Sequence, residues 1–275
     1  MSFMYNPFPF DDPRPVNRPE LSEKTVKSII SGGNQNVVKK FVATLADRAA
    51  KEGVVVALDG YTTANWTVFV NLIARECCLL GLGFEAIDAN AATLKSGKEI
   101  DAIIDPLLIW DTKIDPTLLY GKVYKGGYQG LMDEARTEAF KKAVPASRQA
   151  GKISVVYGYG SLIPELRELY DVKVFFDLTP MKSMLRIRRG EYSNLGKERP
   201  GIINRTIRRC YYCDFECAVR NRHELWENNV PDWYVLDNDP QNLQLMPFGT
   251  FSDICAQLVK YPFRAKPCYL EGVWG

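Results

Sequence analysis

Short apolar runs that alternate with helical patterns are the feature that most constrains how this chain folds. The run VVVAL at 54–58 is apolar throughout and too short for a helix, which is typical of a strand buried on both faces. Similar runs lie at 84–87, 153–157, 172–176 and 233–236, and helical patterns lie at 36–53, 66–80, 100–108, 129–150, 179–227 (interrupted near 190–200) and 252–259. Alternating strands and helices favour right-handed crossovers and a parallel sheet. We therefore predict a three-layer α/β/α fold with about five mostly parallel strands.

The N-terminal stretch of the chain differs in composition from the rest. Five prolines fall within residues 1–22, and proline disfavours regular structure, so this stretch is predicted to be an extended arm. It would lie either on its own domain or, as a strap, on a neighbouring domain or subunit. Residues 23–259 form the predicted main domain.

Composition excludes several classes of protein. The 35 basic and 33 acidic residues leave a net charge of +2, which gives no global drive toward nucleic acid or an acidic membrane. No apolar run is long enough to span a membrane, so neither partner is expected. Seven cysteines, an odd number, with no secretory signal, favour free thiols and a cytoplasmic location.

No zinc site is expected. The only histidine is His223, and Cys210, Cys213 and Cys217 have the spacing of one helix stripe, where small apolar thiols suit a buried face.

The segment after the first strand resembles a phosphate-binding loop. Gly60 and Thr67 match the pattern G-x-x-x-x-G-K-[ST], whereas Asn65 replaces the second glycine and Trp66 replaces the lysine. Asparagine tolerates a positive φ, the helix N-terminus offers free amides, and Thr67 is placed to bind Mg²⁺. The lost lysine removes a charged hydrogen bond worth roughly 1.5–3 kcal/mol. The alternative is a plain strand–turn–helix junction.

Asp88 follows the second strand. A carboxylate at this edge of a parallel sheet can act as the general base for a substrate hydroxyl. The alternative is that Asp88 caps the next helix.

A basic segment follows the fourth strand. Between residues 182 and 209 the chain carries nine basic and two acidic residues, a local charge of +7. Guanidinium groups bind phosphate oxygens in bidentate pairs, so Arg186, Arg188 and Arg189 are candidate phosphate ligands in a segment that moves as a lid. The alternatives are a solvated basic face and an RNA-contacting patch.

A polar, glycine-rich stretch runs from Asp111 to Tyr128. Tyr120, Lys122 and Lys125 in this stretch are candidates for binding a small polar substrate, and the alternative is an ordinary loop.

The loop, Asp88 and the D-x-x-P…R-x-R-R run at 177–189 together resemble the uridine-kinase and phosphoribulokinase branch of the P-loop kinases. This resemblance implies a nucleoside-kinase-like P-loop fold, Asp88 as the base, Gly60 and Thr67 as loop positions, and Arg186, Arg188 and Arg189 as lid arginines. It also implies ATP and Mg²⁺ as cofactors, although Asn65 and Trp66 depart from the pattern of active kinases.

The chain resembles one further family. The runs DGY at 59–61, YGK at 120–122 and RG at 189–190, with the segment 209–214, are similar to the kinase-like domain fused before class I mannose-6-phosphate isomerase in some bacterial proteins. Residues 260–275 resemble a linker into that isomerase domain. The resemblance implies an isomerase domain as partner, and no isomerase activity in this chain alone.

Three functions remain open at this point. The first is a degenerate kinase-like domain that binds a phosphorylated small molecule, a sugar phosphate or a nucleotide, in carbohydrate metabolism, with phosphotransfer altered or lost. The second is an active sugar or nucleoside kinase that uses Asp88. The third is a non-catalytic module whose arm and basic face dock an isomerase domain. Besides the isomerase domain, the other macromolecular partner considered is a second copy of the chain, in a homo-oligomer.

Overall fold

The structure is a computed structural model that describes residues 21–117 and 120–259. The predicted arm lies almost entirely outside the described residues, and the predicted linker lies wholly outside them. In chain order the helices and strands are α1 (Glu23–Ser28), α2 (Asn34–Glu52), β1 (Val54–Gly60), α3 (Thr67–Leu79), β2 (Gly83–Asp88), α4 (Ala89–Thr93), α5 (Gly97–Ile104), α6 (Glu134–Ala146), β3 (Lys152–Tyr157), β4 (Val172–Asp177), α7 (Pro180–Arg188), α8 (Ile203–Arg209), α9 (Phe215–Glu227), β5 (Trp233–Leu236), β6 (Gln244–Pro247) and α10 (Phe248–Leu258).

The strands form one sheet in the order β2-β3-β1-β4-β5-β6. The first five are parallel, and β6 runs antiparallel to β5 at the edge. Val56 of β1 lies opposite Val155 on one side and Val172 on the other, so β1 is central, and all seven of its residues are buried. The predicted α/β class with a mostly parallel sheet is confirmed, with six strands rather than about five.

Helices cover both faces of the sheet, as two neighbouring side chains of β4 show. Successive residues of a strand point to opposite faces. The ring of Phe176 packs against Phe69 of α3 at a centroid distance of 5.3 Å, whereas the ring of Phe175 packs against Trp226 of α9 at 4.8 Å. Phe69 in turn contacts Phe41 of α2 at 5.5 Å. The helices α2 and α3 therefore lie on one face and α9 on the other.

The strand order places a change of direction beside β1. The chain crosses over β3 on its way from β1 to β2, and later crosses back over β1 from β3 to β4. In open α/β sheets, ligands bind beyond the carboxyl ends of the strands at such a point. The loops after β1 and β3 meet there, because the amides of Gly160 and Leu162 donate to the Asp59 carboxylate at 3.0 Å each.

A π-helical turn at Cys210–Asp214 joins α8 to α9. Turns of this kind appear frequently at functional sites. The thiols of Cys210, Cys213 and Cys217 are buried, as their spacing predicted. Among the described residues, no helix is both long and apolar enough to cross a membrane.

Candidate functional site: a closed loop and a basic pocket

Several backbone amides of the loop between β1 and α3 already have hydrogen-bond partners within the protein. The amide of Tyr61 donates to the carbonyl of Phe176 (2.9 Å), and that of Ala64 donates to the carbonyl of Tyr61 (2.8 Å). The amide of Thr67 donates to the side-chain oxygen of Asn65 at 3.1 Å. These are the kinds of groups that hold phosphate in a phosphate-binding loop, and here they already have protein partners.

A buried carboxylate from the end of β5 completes this loop. Asp237 accepts a hydrogen bond from the amide of Asn65 at 2.9 Å and a bidentate pair from the guanidinium of Arg186 at 2.8 and 2.9 Å. Arg186 also donates to the carbonyl of Thr63 at 2.8 Å. Burial raises the pKa of Asp237, while the hydrogen bonds and charge of Arg186 oppose that rise. The Asp237 carboxylate thus takes an amide and a guanidinium of the kind that would bind an anion.

The Trp66 side chain fills the space inside the loop. It is 8% exposed and packs on the ring of Tyr159 at a centroid distance of 4.9 Å. A Cβ atom placed on Gly60 would lie 2.6 Å from the Cβ of Ala64 and 3.1 Å from the Trp66 ring. The loop is therefore packed tightly around Gly60.

The positive φ in this loop falls on Thr63 and not on Asn65, the residue whose tolerance of that conformation the sequence suggested. Thr63 has φ 73°, which is strained for a β-branched residue. The Thr63 backbone is held at both of its polar groups. Its amide donates a hydrogen bond to the hydroxyl of Tyr159 at 3.1 Å, and its carbonyl accepts one from Arg186. The contacts with Tyr159 and Arg186 hold the strained turn in place.

The candidate lid arginines do not come together. Arg186 is buried under the loop, whereas Arg188 and Arg189 are exposed, and Arg189 pairs with Glu191 at 2.6 Å. The phosphate roles predicted for Gly60, Asn65, Thr67 and these arginines, and the Mg²⁺ role of Thr67, stay predictions. A ligand bound at the loop would have to displace Asp237.

Asp88 acts as a helix cap. It is exposed, and its carboxylate accepts a hydrogen bond from the amide of Ala91 at 2.9 Å at the start of α4. Strand β3 separates β2 from β1, which places Asp88 about 10 Å from β1 across two strand spacings. Its predicted role as a base stays untested.

The residues of the glycine-rich stretch lie in different places. Tyr120 is exposed, and its carbonyl accepts a hydrogen bond from Arg208 of α8. The amide of Lys122 donates to the carbonyl of Leu107. Lys125 lines a small cavity of about 250 Å³. The structure therefore does not gather these three side chains around one ligand site.

A larger cavity of about 550 Å³ opens beside α8, and we call it the basic pocket. Its walls come from the end of α5 and the turn after it, from the segment between α7 and α8, and from α8 itself. The lining residues are Asp105, Trp110, Asn194, Lys197, Arg199, Gly201, Ile202, Arg205, Thr206 and Arg209.

Two cations of the basic pocket are not neutralised. Arg199 and Arg205 are exposed and form no ion pair with any described residue. The other two cations, Lys197 and Arg209, both pair with Asp101 of α5. Burial opposes ionisation of Asp101, but its hydrogen bonds and charge interactions with these two cations outweigh burial and lower its pKa. The pocket therefore keeps an excess of positive charge.

Two buried polar atoms of the pocket wall lack a partner. Thr206 is 3% exposed and Arg209 is 4% exposed, yet the Thr206 hydroxyl and the Arg209 Nε have no hydrogen-bond partner among the described residues. A buried polar group without a partner costs about 1–3 kcal/mol. Both groups can donate a hydrogen bond, so both suit an acceptor such as a phosphate oxygen.

An indole forms one apolar wall of the pocket. Trp110 is 37% exposed, and the guanidinium carbons of Arg205 and Arg208 lie 5.4 and 4.9 Å from its ring centroid. Both distances allow a cation–π interaction. The indole therefore helps to position arginines at the mouth of the pocket.

The basic pocket and the loop after β1 share one contact residue. The side-chain amide of Asn194, which lines the pocket, donates to the Asp214 carboxylate at 2.6 Å. The hydroxyl of Thr62 in the loop donates to the Asp214 carbonyl at 3.2 Å. The π-helical turn that contains Asp214 thus lies between the two sites.

Only part of this pocket was predictable from the sequence. Lys197, Arg199, Arg205 and Arg209 belong to the basic segment, whose local charge was the available signal. Trp110 and Asp105 lie far earlier in the chain, and no local pattern connects them to that segment. Only the folded structure brings the two parts together.

The family comparison covers most of the chain. Residues 38–260 match the family described as "Domain of unknown function (DUF8485)", and the chain belongs to that family. The comparison with curated proteins gave no match.

Solved structures of three kinases show a distant likeness to the chain. A provisionally assigned fructose transport system kinase from Silicibacter sp. TM1040 is 14% identical, with a TM-score of 0.45 over 69% of this chain and 94% of that one. A possible uridine kinase from Bacillus stearothermophilus is 11% identical (TM-score 0.39, 72% and 95%). Shikimate kinase from Bacteroides thetaiotaomicron is 17% identical (TM-score 0.30, 63% and 98%). At these TM-scores, nothing about the activity of this chain follows from the likeness.

Proposed function

We propose that this protein binds a phosphorylated small molecule in the basic pocket and does not transfer a phosphoryl group at the loop after β1. The observation that carries the proposal is the pocket itself. Its wall holds two unpaired arginines, Arg199 and Arg205, together with the unpartnered donors of Thr206 and Arg209. Guanidinium groups and oriented N–H and O–H donors are the groups that recognise phosphate oxygens.

The closed loop supports the second half of the proposal. Phosphoryl transfer needs charge stabilisation at the transferred group and a base near the acceptor hydroxyl. Here Trp66 stands in place of the lysine, and Asp237 holds both Arg186 and the amide of Asn65. ATP and Mg²⁺ belong to the kinase alternative, which would need the loop to open and Asp88 to leave its capping position.

The test compares two arginines of the same basic segment. Binding of glucose 6-phosphate and inorganic phosphate is measured by isothermal titration calorimetry for the wild type, Arg205→Gln and Arg188→Gln. Arg188 is the matched control, because it is also exposed but lies outside the pocket. Loss of one charged hydrogen bond worth about 1.5–3 kcal/mol predicts at least a tenfold weaker affinity for Arg205→Gln and no change for Arg188→Gln.

Two outcomes would contradict the proposal. If neither compound binds the wild type, the basic pocket is not a phosphate site. If Arg188→Gln weakens binding while Arg205→Gln does not, the ligand lies under the predicted lid arginines instead.

A further inference from the structure

We propose that the ligand of the basic pocket is a single phosphate monoester on a hydroxylated carbon body, such as a sugar phosphate, and not a nucleoside triphosphate. This inference rests on the proposed function and narrows it to one class of ligand. It comes from three properties of the pocket: its charge balance, one carboxylate in its wall, and the two unpartnered donors.

The charge balance fits one phosphate monoester. The pocket and its immediate ion pairs contain four cations (Lys197, Arg199, Arg205 and Arg209) and two carboxylates (Asp101 and Asp105), a net charge of +2. A phosphate monoester carries about −1.5 to −2 at pH 7. A triphosphate carries more negative charge than this pocket can neutralise, and the surplus would be repelled by the two carboxylates.

Asp105 is the residue that indicates a ligand with hydroxyl groups. Asp105 lines the pocket and is exposed, and its carboxylate has no hydrogen bond or ion pair with any described residue. A carboxylate beside a bound phosphate repels it, so Asp105 weakens the binding of a bare phosphate ion. An ionised carboxylate only accepts hydrogen bonds, and the hydroxyls of a sugar or polyol are matching donors.

The other walls of the pocket also suit the carbon skeleton of a sugar phosphate. Trp110 and Ile202 offer apolar surface, which suits the C–H face of a carbon skeleton. Arg209 is already fixed by its bonds to Asp101 and to the carbonyl of Leu195, so its free Nε–H is held in place before the ligand arrives. Preorganised donors of this kind cost little conformational entropy on binding.

The experiment distinguishes recognition of the phosphate group from recognition of the sugar. Dissociation constants for glucose 6-phosphate, inorganic phosphate, AMP and ATP are measured by calorimetry with the wild type, Asp105→Ala and Glu198→Ala. Glu198 is the matched control, because it is an exposed acid in the same segment that does not line the pocket. For the wild type, we expect glucose 6-phosphate to bind at least tenfold more tightly than inorganic phosphate or ATP.

The Asp105→Ala variant should change two affinities in opposite directions. Glucose 6-phosphate should bind about tenfold more weakly, because a hydrogen bond between its hydroxyls and a charged acceptor is lost. Inorganic phosphate should bind more tightly, because a repelling charge is gone. Glu198→Ala should shift both affinities slightly in the same direction and leave their ratio unchanged. Tighter binding of AMP than of glucose 6-phosphate would replace the sugar phosphate by a nucleotide monoester and overturn the sugar assignment.

Failure of this inference is distinguishable from failure of the proposed function. Two results would overturn only the assignment of a sugar phosphate: phosphate compounds bind but Asp105→Ala changes both affinities in the same direction, or ATP binds most tightly. In either case the basic pocket would still be a phosphate site. If no phosphate compound binds the wild type, both proposals fall.

Discussion

Asp237 and Arg186 show how one buried ion pair decides what the loop after β1 can do. Arg186 is 3% exposed and Asp237 is fully buried, and the loop amide of Asn65 joins their pair. Removing one partner of a buried pair leaves the other charge uncompensated, which is strongly destabilising. The pair therefore stabilises the closed loop and keeps its donors occupied.

Substitution of Asp237 should be partly reversible by added carboxylate. We expect Asp237→Ala to lower the free energy of unfolding by about 3–5 kcal/mol, because Arg186 is left buried without its partner. Formate carries the carboxylate that this substitution removes, so it should restore part of that loss. Urea unfolding with and without formate measures both effects.

The control for this prediction is Asp239→Ala, a change at an exposed aspartate two residues away. It should cost well under 1 kcal/mol and show no response to formate. An Asp237→Ala variant as stable as the wild type would show that the carboxylate does not close the loop.

Asp59 makes the stability of the fold depend on pH. Its carboxylate is fully buried, and burial raises its pKa to about 6 even though four hydrogen bonds, from Gly60, Gly160, Leu162 and Asn221, oppose the rise. Because the folded state binds this proton more tightly than the unfolded state, the Asp59 contribution to stability is most favourable below pH 4 and declines as the pH rises to 6.

The size of that decline is about 3 kcal/mol, since the pKa rises by about 2 units. Asp59→Asn removes the titration, so the difference in unfolding free energy between wild type and variant should change by about this amount between pH 4 and pH 7. A parallel profile for Asp59→Asn would contradict the raised pKa.

At the scale of elements, the junction of β1 and α3 is held by aromatic packing. Trp66 contacts the rings of Tyr159 and Phe176, at 4.9 and 6.4 Å between centroids. It occupies the position where a phosphate-binding loop has its lysine. The Trp66 side chain is thus part of the hydrophobic core.

Introducing a lysine at position 66 should destabilise the fold without creating a kinase. We expect Trp66→Lys to lower the free energy of unfolding by about 3–5 kcal/mol, since a buried indole is lost, and to give no measurable ATP hydrolysis or phosphotransfer. Trp110→Ala, a change at a half-exposed indole, should cost less. Chemical denaturation measures the stabilities. A stable Trp66→Lys variant that transfers phosphate from ATP would contradict the structural role of Trp66.

Local patterns predicted most of the elements, because each depends on neighbours in sequence. The apolar run at 54–58 forms most of β1, and the helical pattern at 66–80 forms α3 (Thr67–Leu79). The edge strand β6 was missed, because Gln244–Pro247 contains only two apolar non-proline residues. The helical pattern predicted at 36–53 begins two residues earlier in the structure, since α2 starts at Asn34 and the side chain of Asn36 donates a hydrogen bond to the carbonyl of Ser31.

The candidate site was less predictable than the fold, because its contacts join distant parts of the chain. The sequence singled out Arg186, but its partner Asp237 lies 51 residues further on. The wall that Trp110 and Asp105 add to the basic pocket has no local signal either. Contacts of this kind follow from the tertiary arrangement of the sheet and its crossovers, which no single segment encodes.

At the scale of the whole molecule, the net positive charge is small but is concentrated in one segment. The net charge is +2, yet the segment 182–209 carries +7. Its arginines divide into buried members such as Arg186 and exposed members such as Arg205. The exposed ones leave the pocket electropositive within a nearly neutral protein, which draws anions to one place.

Binding at the pocket should therefore stabilise the whole fold. A ligand that binds only the native state adds about 2.7 kcal/mol at a concentration of one hundred times its dissociation constant. Glucose 6-phosphate at that concentration should raise the unfolding midpoint of the wild type. At the same concentration Arg205→Gln should respond much less. An equal rise for both proteins would place the ligand elsewhere.

The most direct test of the central claim is the position of a phosphorylated ligand in a crystal. Difference electron density in crystals soaked with glucose 6-phosphate should show the phosphate in the basic pocket, within hydrogen-bond distance of Arg205 and Arg209, with Asp237 still bound to Arg186. Phosphate density at the loop of residues 60–67, with Asp237 displaced and the basic pocket empty, would contradict the account.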